Sequence, residues 1–189
     1  ACLGQAGGPD DFDIVARFLD HPYARVRAAA TYAVGRLDPA RAVGLAIRLL
    51  EDGSGRVRRT AIAVLAEAHP SLWAREARTI LRTGAEPSKS SALSLLALQF
   101  RWDSLPPIFE AICMDSETLR ARAWRYLVAW HWRNAACGWI RPSDECTREL
   151  LDVWPRASGT ADVPASARRQ WFEVGKLIAD VTRAPYGTP

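Results

Sequence analysis

Apolar positions recur in this chain at the three- and four-residue spacing of a helix face, and the whole pattern returns every 31 residues. Val26, Val57, Ser88 and Leu119 stand in one column. Four residues on come Ala30, Ala61, Ala92 and Ala123, and four beyond those come Val34, Leu65, Leu96 and Leu127. Leu19, Leu50, Leu81 and Ile112 lie seven residues upstream of the anchors, and the column just after the anchors is basic throughout: Arg27, Arg58, Lys89 and Arg120. Three successive intervals keep this register without an insertion. A fixed period of this length marks a solenoid, in which each unit buries its apolar face by stacking on its neighbours. The alanine column has a physical reason: paired helices approach closely there, and a larger side chain would overpack the contact.

Each unit reads as two helices separated by turn residues. In the second unit Asp38 is placed to cap a helix whose first turn holds Pro39, and Val43, Ile47 and Leu50 fall on one stripe. Asp52-Gly53-Ser54-Gly55 breaks that helix, and a second carries Val57, Ala61, Val64 and Leu65 before His69-Pro70-Ser71 closes the unit. The first unit is expected to run from Asp11 to about Leu19, turn at His21-Pro22 and continue as a second helix. The third begins at Ser71, ends near Arg82 and reopens at Glu86-Pro87; the fourth uses Pro106-Pro107 in a first turn and Asp115-Ser116 as its break. No stretch alternates with period two, so no sheet is expected.

The period is lost after about Asn134. Residues 1–10 are expected to be a flexible lead-in, 11–133 the four repeats, 134–183 a divergent helical cap, and 184–189 a tail. Within the cap, Ser143-Asp144-Glu145 opens a helix to about Trp154, Pro155 to Pro164 reads as a loop, and Trp171, Val174, Ile178 and Val181 stripe a final helix. Terminal units must cover the open end of a stacked core, so divergence is expected there, and the last two helices fit a decayed fifth unit.

Composition adds boundaries. With 49% apolar and 24% charged residues, the 189-residue chain has the make-up of a globular domain that needs neither disulfides nor metals to form a core. Cys2, Cys113, Cys137 and Cys146 form no C-x-x-C pair and have no nearby His, which points to reduced thiols, no metal site and a cytoplasmic location. No apolar run reaches membrane-spanning length. The chain begins at Ala1, with Met114 its one methionine, so a processed chain or a piece of a longer protein is expected. A net charge of +4 permits acidic partners but lacks a dense basic block.

The phrases Arg25-Val26-Arg27-Ala28-Ala29-Ala30 and Arg56-Val57-Arg58-Arg59-Thr60-Ala61, preceded by Leu19-Asp20 and Leu50-Glu51-Asp52, resemble the short HEAT-like repeat of bacterial proteins and phycobilin lyases. The resemblance covers about residues 11–133 and is strongest in the first two units. It implies an all-α, right-handed α-α superhelix. It also implies a ladder in which an Asp five residues before the anchor pairs with arginines along the stack. Asp52 is in register for this, Asp20 and Asp115 are one position off, and Thr83 breaks the series.

Two candidate functional features follow. Arg27, Arg58, Lys89 and Arg120, with Arg59, Arg122 and Arg125, would make a positive stripe on the concave face that attracts an acidic peptide or a phosphate backbone; the competing reading is the internal ladder. The segment Ala123 to Trp132 carries Trp124, Tyr126, Trp130, His131 and Trp132, with Trp139 beyond. It is either an aromatic binding face or core filling between stack and cap. His21 and His69 precede prolines at equivalent breaks and read as turn residues. No catalytic fingerprint is present.

The expectation is a non-catalytic scaffold with no cofactor, binding a protein or acidic peptide through Arg27, Arg58, Arg59, Lys89, Arg120, Arg125, Trp124 and Trp130. The alternative is nucleic-acid binding of the kind found in HEAT-like DNA glycosylases, and a chromophore-lyase-like enzyme is a third class.

Overall fold

The computed structural model describes residues 7–99, 101–134, 141–160 and 162–183. Among them are ten α-helices and short 3-10 turns, with no strand. The helices are α1 (Phe12–Ala16), α2 (Ala24–Leu37), α3 (Pro39–Leu49), α4 (Gly55–Ala66), α5 (Ala74–Thr83), α6 (Glu86–Leu96), α7 (Leu105–Ile112), α8 (Glu117–Asn134), α9 (Asp144–Thr160) and α10 (Arg168–Arg183). The fold class is an all-α solenoid of helical hairpins. The chain divides into two compact units, 1–98 and 99–189, so the fourth hairpin is grouped with the last two helices. Residues 1–6 of the expected lead-in, Trp139 and the 184–189 tail lie outside the described residues.

In the first unit α1 pairs with α2, α3 with α4 and α5 with α6, and the second helices α2, α4 and α6 pack side by side. Local chemistry sets these boundaries. The Asp38 carboxylate accepts the Arg41 backbone N–H at 3.0 Å, and Pro39 occupies the first turn of α3, where its missing donor costs nothing. The first helix is shorter than its pattern suggests: α1 is one turn and a half, flanked by 3-10 turns at Pro9–Asp11 and Arg17–Asp20.

The repeat columns form the core. Ala30, Ala61, Ala92 and Ala123 are buried, as are the Val34 and Leu19 columns at every position. Val26 is half-buried while Val57, Ser88 and Leu119 are fully so. No described helix precedes the α1–α2 hairpin to cover Val26. A close approach between second helices falls at Gly35 on α2. A Cβ there would meet Val64 Cγ2 at 2.7 Å and Cγ1 at 2.9 Å, so the absence of a side chain is what lets α4 approach. Trp73 is fully buried ahead of α5 and donates its indole N–H to the Ala68 carbonyl at 3.3 Å.

In the second unit α7 and α8 form a hairpin, α9 packs on α7, and α10 packs on both α8 and α9. The last two helices thus repeat the hairpin-on-hairpin arrangement although their sequence has left the period. Phe109, Trp124, Trp154 and Trp171 fill the space between these helices, with ring centroids 4.5–5.8 Å apart. The expected loop from Pro155 is shorter than its composition indicates, because α9 continues to Thr160 with Pro155 inside it. Pro155 removes one N–H from the ladder, but both Pro155 and Leu151, whose carbonyl it frees, are on the exposed side, where water satisfies the oxygen. The buried stripe Cys146, Leu150, Val153 and Ala157 runs straight through and holds the helix to the core.

Candidate functional site

The basic column divides by environment. Arg27 lies at the start of α2 and donates Nε and Nη2 to the two carboxylate oxygens of Asp52 at 2.8 and 2.9 Å, reaching from the first hairpin to the second. Its Nη1 also donates to the His21 and Pro22 carbonyls at 2.8 and 3.0 Å. Hydrogen bonds from Arg27 hold the Asp52 carboxyl below the usual carboxylate range, against the opposing effect of burial and with help from the Ser54 N–H. The Arg27 guanidinium is raised in turn, chiefly by the same Asp52 contact.

The pattern recurs where the turn allows it. Arg58 donates Nη1 to the Asp52 carbonyl at 2.6 Å, and Arg120 donates Nη1 to the Met114 and Asp115 carbonyls at 3.0 and 3.2 Å. In the first, second and fourth units the basic residue reaches back six positions to tie down the inter-helix turn. With Thr83 at the position equivalent to Asp52, Arg58 has no carboxylate across the stack and bonds Ser91 Oγ at 3.1 Å instead. Asp20, one position out of register, pairs with Arg48 on the surface at 3.3 Å. Lys89 is half-buried. Arg27, Arg58 and Arg120 therefore act as internal struts, and of the predicted stripe Arg59 and Arg125 stand exposed.

A second set of arginines, of which only Arg59 belongs to the predicted stripe, faces outward. Arg25 and Arg56 occupy the position just before the anchor on α2 and α4, Arg59 is one turn beyond Arg56, and Arg36 closes α2. All four are exposed and make no side-chain hydrogen bond or ion pair among the described residues. Arg58 Nη2 and Arg59 Nη1 each come within 3.5 Å of the point where a Cβ on Gly55 would sit, so two guanidiniums converge over a bare glycine. The Asp52 carboxylate nearby is already taken by Arg27 and the Ser54 N–H. The sequence signal was available: position −1 shares its helix face with +3 and +6, where Ala29, Tyr32 and Ala63 are exposed and never required by the core.

In the second unit Trp124 and Trp130 are buried, at 8% and 2% exposure, which removes them from any surface row. Trp124 meets Trp171 edge-on at 5.1 Å. Trp130 stacks at 5.6 Å on Trp102 and donates its indole N–H to the Arg101 carbonyl at 2.6 Å. Arg101 holds that carbonyl from a left-handed conformation, φ 53°. The aromatic segment is thus core filling for the most part, with Trp132 its exposed member. A groove of about 870 Å³ opens beside α8 with Trp124 and Val128 in its lining, and Arg120 and Arg125 share it with Asp115, Glu117 and Asp162. Charges of both signs give it no strong preference for an anion.

The prolyl-turn histidines are turn residues: His69 Nδ1 accepts from the Ser71 N–H at 3.3 Å and His21 Nδ1 from the Tyr23 N–H at 3.1 Å. His131 is half-buried, edge-on to Trp132 at 5.8 Å. Cys113 and Cys146 are free thiols, while Cys2 and Cys137 lie outside the described residues. Among the described residues no group of three or more His, Cys, Asp or Glu side chains is placed to hold a metal, and no helix is long and apolar enough to cross a membrane.

No family model matches the sequence, and no curated protein matches it significantly. Among solved structures the chain is similar to a designed armadillo repeat protein in complex with the peptide (KR)4. The TM-score is 0.55 at 14% sequence identity, over 93% of this chain and 89% of that one. At that identity the likeness speaks to the fold: a helical-repeat solenoid.

Proposed function

We propose that the chain is a non-catalytic helical-repeat scaffold of the HEAT-like kind that binds a protein or peptide segment on the outward face of its second helices. The observation that carries this reading is the division of labour among the arginines. Those that hold the turns are internal, whereas Arg25, Arg56 and Arg59 stand exposed at related positions of adjacent helices and have no structural partner. A stacked array makes such positions into rows, and rows suit an extended ligand. The armadillo-type neighbour, which holds a peptide, supports this use of the architecture by analogy of fold.

The test is to pan the chain against a display library of random peptides. Enriched peptides should lose binding when Ala29 and Ala63, exposed on the adjacent helices α2 and α4, are replaced by Trp, with helicity unchanged. Recovery of no peptide, or of peptides indifferent to these two substitutions, contradicts the reading.

A further inference from the structure

The geometry points to an acidic, extended peptide segment as the ligand of the first unit, with carboxylates about three residues apart, received by Arg25, Arg56 and Arg59. This rests on the scaffold reading above and adds the chemistry and register of the partner.

Charge is the first support. Arg25, Arg56 and Arg59 are exposed with no carboxylate or carbonyl engaged. Asp52 is engaged by Arg27 and Asp20 by Arg48. At Gly55 the Arg59 guanidinium comes close to that of Arg58, which is held by the Asp52 carbonyl and Ser91 Oγ, so an anion on Arg59 also relieves repulsion between the two. A guanidinium fork is also matched to a carboxylate, which it binds through two parallel N–H donors.

Spacing is the second support. Arg25 and Arg56 hold the same repeat position on α2 and α4, two helices packed side by side. Packed helices lie roughly 8–10 Å apart. A polyproline-II segment has three residues per turn and advances about 3.1 Å per residue, so one crossing α2 and α4 presents carboxylates three residues apart on the same side, at a spacing that matches the two rungs. Arg59, one helical turn from Arg56, widens the second rung. The row stops in the third unit, where the equivalent residue is Pro87 beside Glu86. Two rungs define a short motif of the form Glu-x-x-Glu.

The experiment is fluorescence anisotropy with labelled peptides on the full chain. One peptide carries Glu-x-x-Glu-x-x-Glu in a Gly/Ser background, a second has the same composition with contiguous glutamates, a third is alternating Lys-Arg, and a duplex oligonucleotide is run alongside. The spaced acidic peptide should bind best, and should weaken as salt rises because the arginines are exposed. R25E/R56E/R59E should weaken it by at least about tenfold, whereas R36E, three turns away on α2, should leave it unchanged. Circular dichroism and melting of the triple variant should match the parent, since the three side chains hold nothing in the fold.

Equal binding of the spaced and contiguous peptides, undiminished binding by the triple variant, or tighter binding of the duplex than of any peptide overturns the inference. If display peptides bind but the acidic series does not, this inference alone fails. If neither binds, the scaffold reading fails with it.

Discussion

Replacing Gly35 by Ala sets two effects of opposite sign against each other. Gly is the poorer helix former by about 1 kcal/mol, so propensity alone predicts that the substitution in α2 stabilises. The structure places Val64 Cγ2 at 2.7 Å and Cγ1 at 2.9 Å from the new Cβ. Val64 is β-branched and rooted in α4, so its rotamer is nearly fixed and the helices must separate instead. Overpacking of this kind costs about 1–3 kcal/mol, so Gly35→Ala should destabilise by up to about 2 kcal/mol after the propensity gain. At this chain length each 1 kcal/mol is worth about 2–4 °C in melting temperature.

Val64→Ala removes the two obstructing methyl groups and by itself should cost about 1.5 kcal/mol of apolar burial. On that background Gly35→Ala should become stabilising by about 1 kcal/mol, because only propensity remains. Urea and thermal melts of the four proteins give the cycle. A Gly35→Ala variant more stable than the parent, with no dependence on Val64, would refute the close approach of α2 and α4.

Three further outcomes follow from the packing and the ion pair. Leu65→Ala should lose about 2–5 kcal/mol because Leu65 is fully buried, whereas Leu98→Ala, 52% exposed, should stay within about 0.5 kcal/mol in the same denaturant melts. Asp52 is depressed in the folded state, so the stability drawn from its charge is complete above the ordinary carboxyl range, about pH 4, and is lost as pH falls through the folded value. The melting-temperature gap between the parent and Asp52→Asn should therefore be widest near neutrality and close below about pH 4; a gap constant with pH would contradict the pairing with Arg27. Trp130→Phe keeps the stacking on Trp102 but removes the 2.6 Å hydrogen bond to the Arg101 carbonyl, and should cost about 1 kcal/mol in a urea titration.

The helices and their core faces were legible because each repeat states them redundantly: the alanine and leucine columns are buried wherever the period holds. The site was harder to read. A basic residue after the anchor, such as Arg27, and one before it, such as Arg25, look alike in sequence, yet 200° of helix turn separates their side chains. One faces the turn and the next hairpin, and the other faces solvent. Trp124 and Trp130 were ambiguous for a related reason. Their partners Trp171 and Trp102 lie outside the aromatic segment, so the cluster that buries them is not visible from spacing along α8. Pro155 misled because composition signals a break, whereas the stripe from Leu150 to Ala157 was strong enough to carry the helix past it.

The claim on which the account stands is that repeat-equivalent positions of adjacent second helices lie side by side. Spin labels at Ala29→Cys and Thr60→Cys, in a chain whose native cysteines are replaced by Ala, measure this in solution. Packed helices should give a narrow distribution centred within about 20 Å, the interaxial distance plus the label arms. A broad distribution, or one centred beyond about 30 Å, would contradict it.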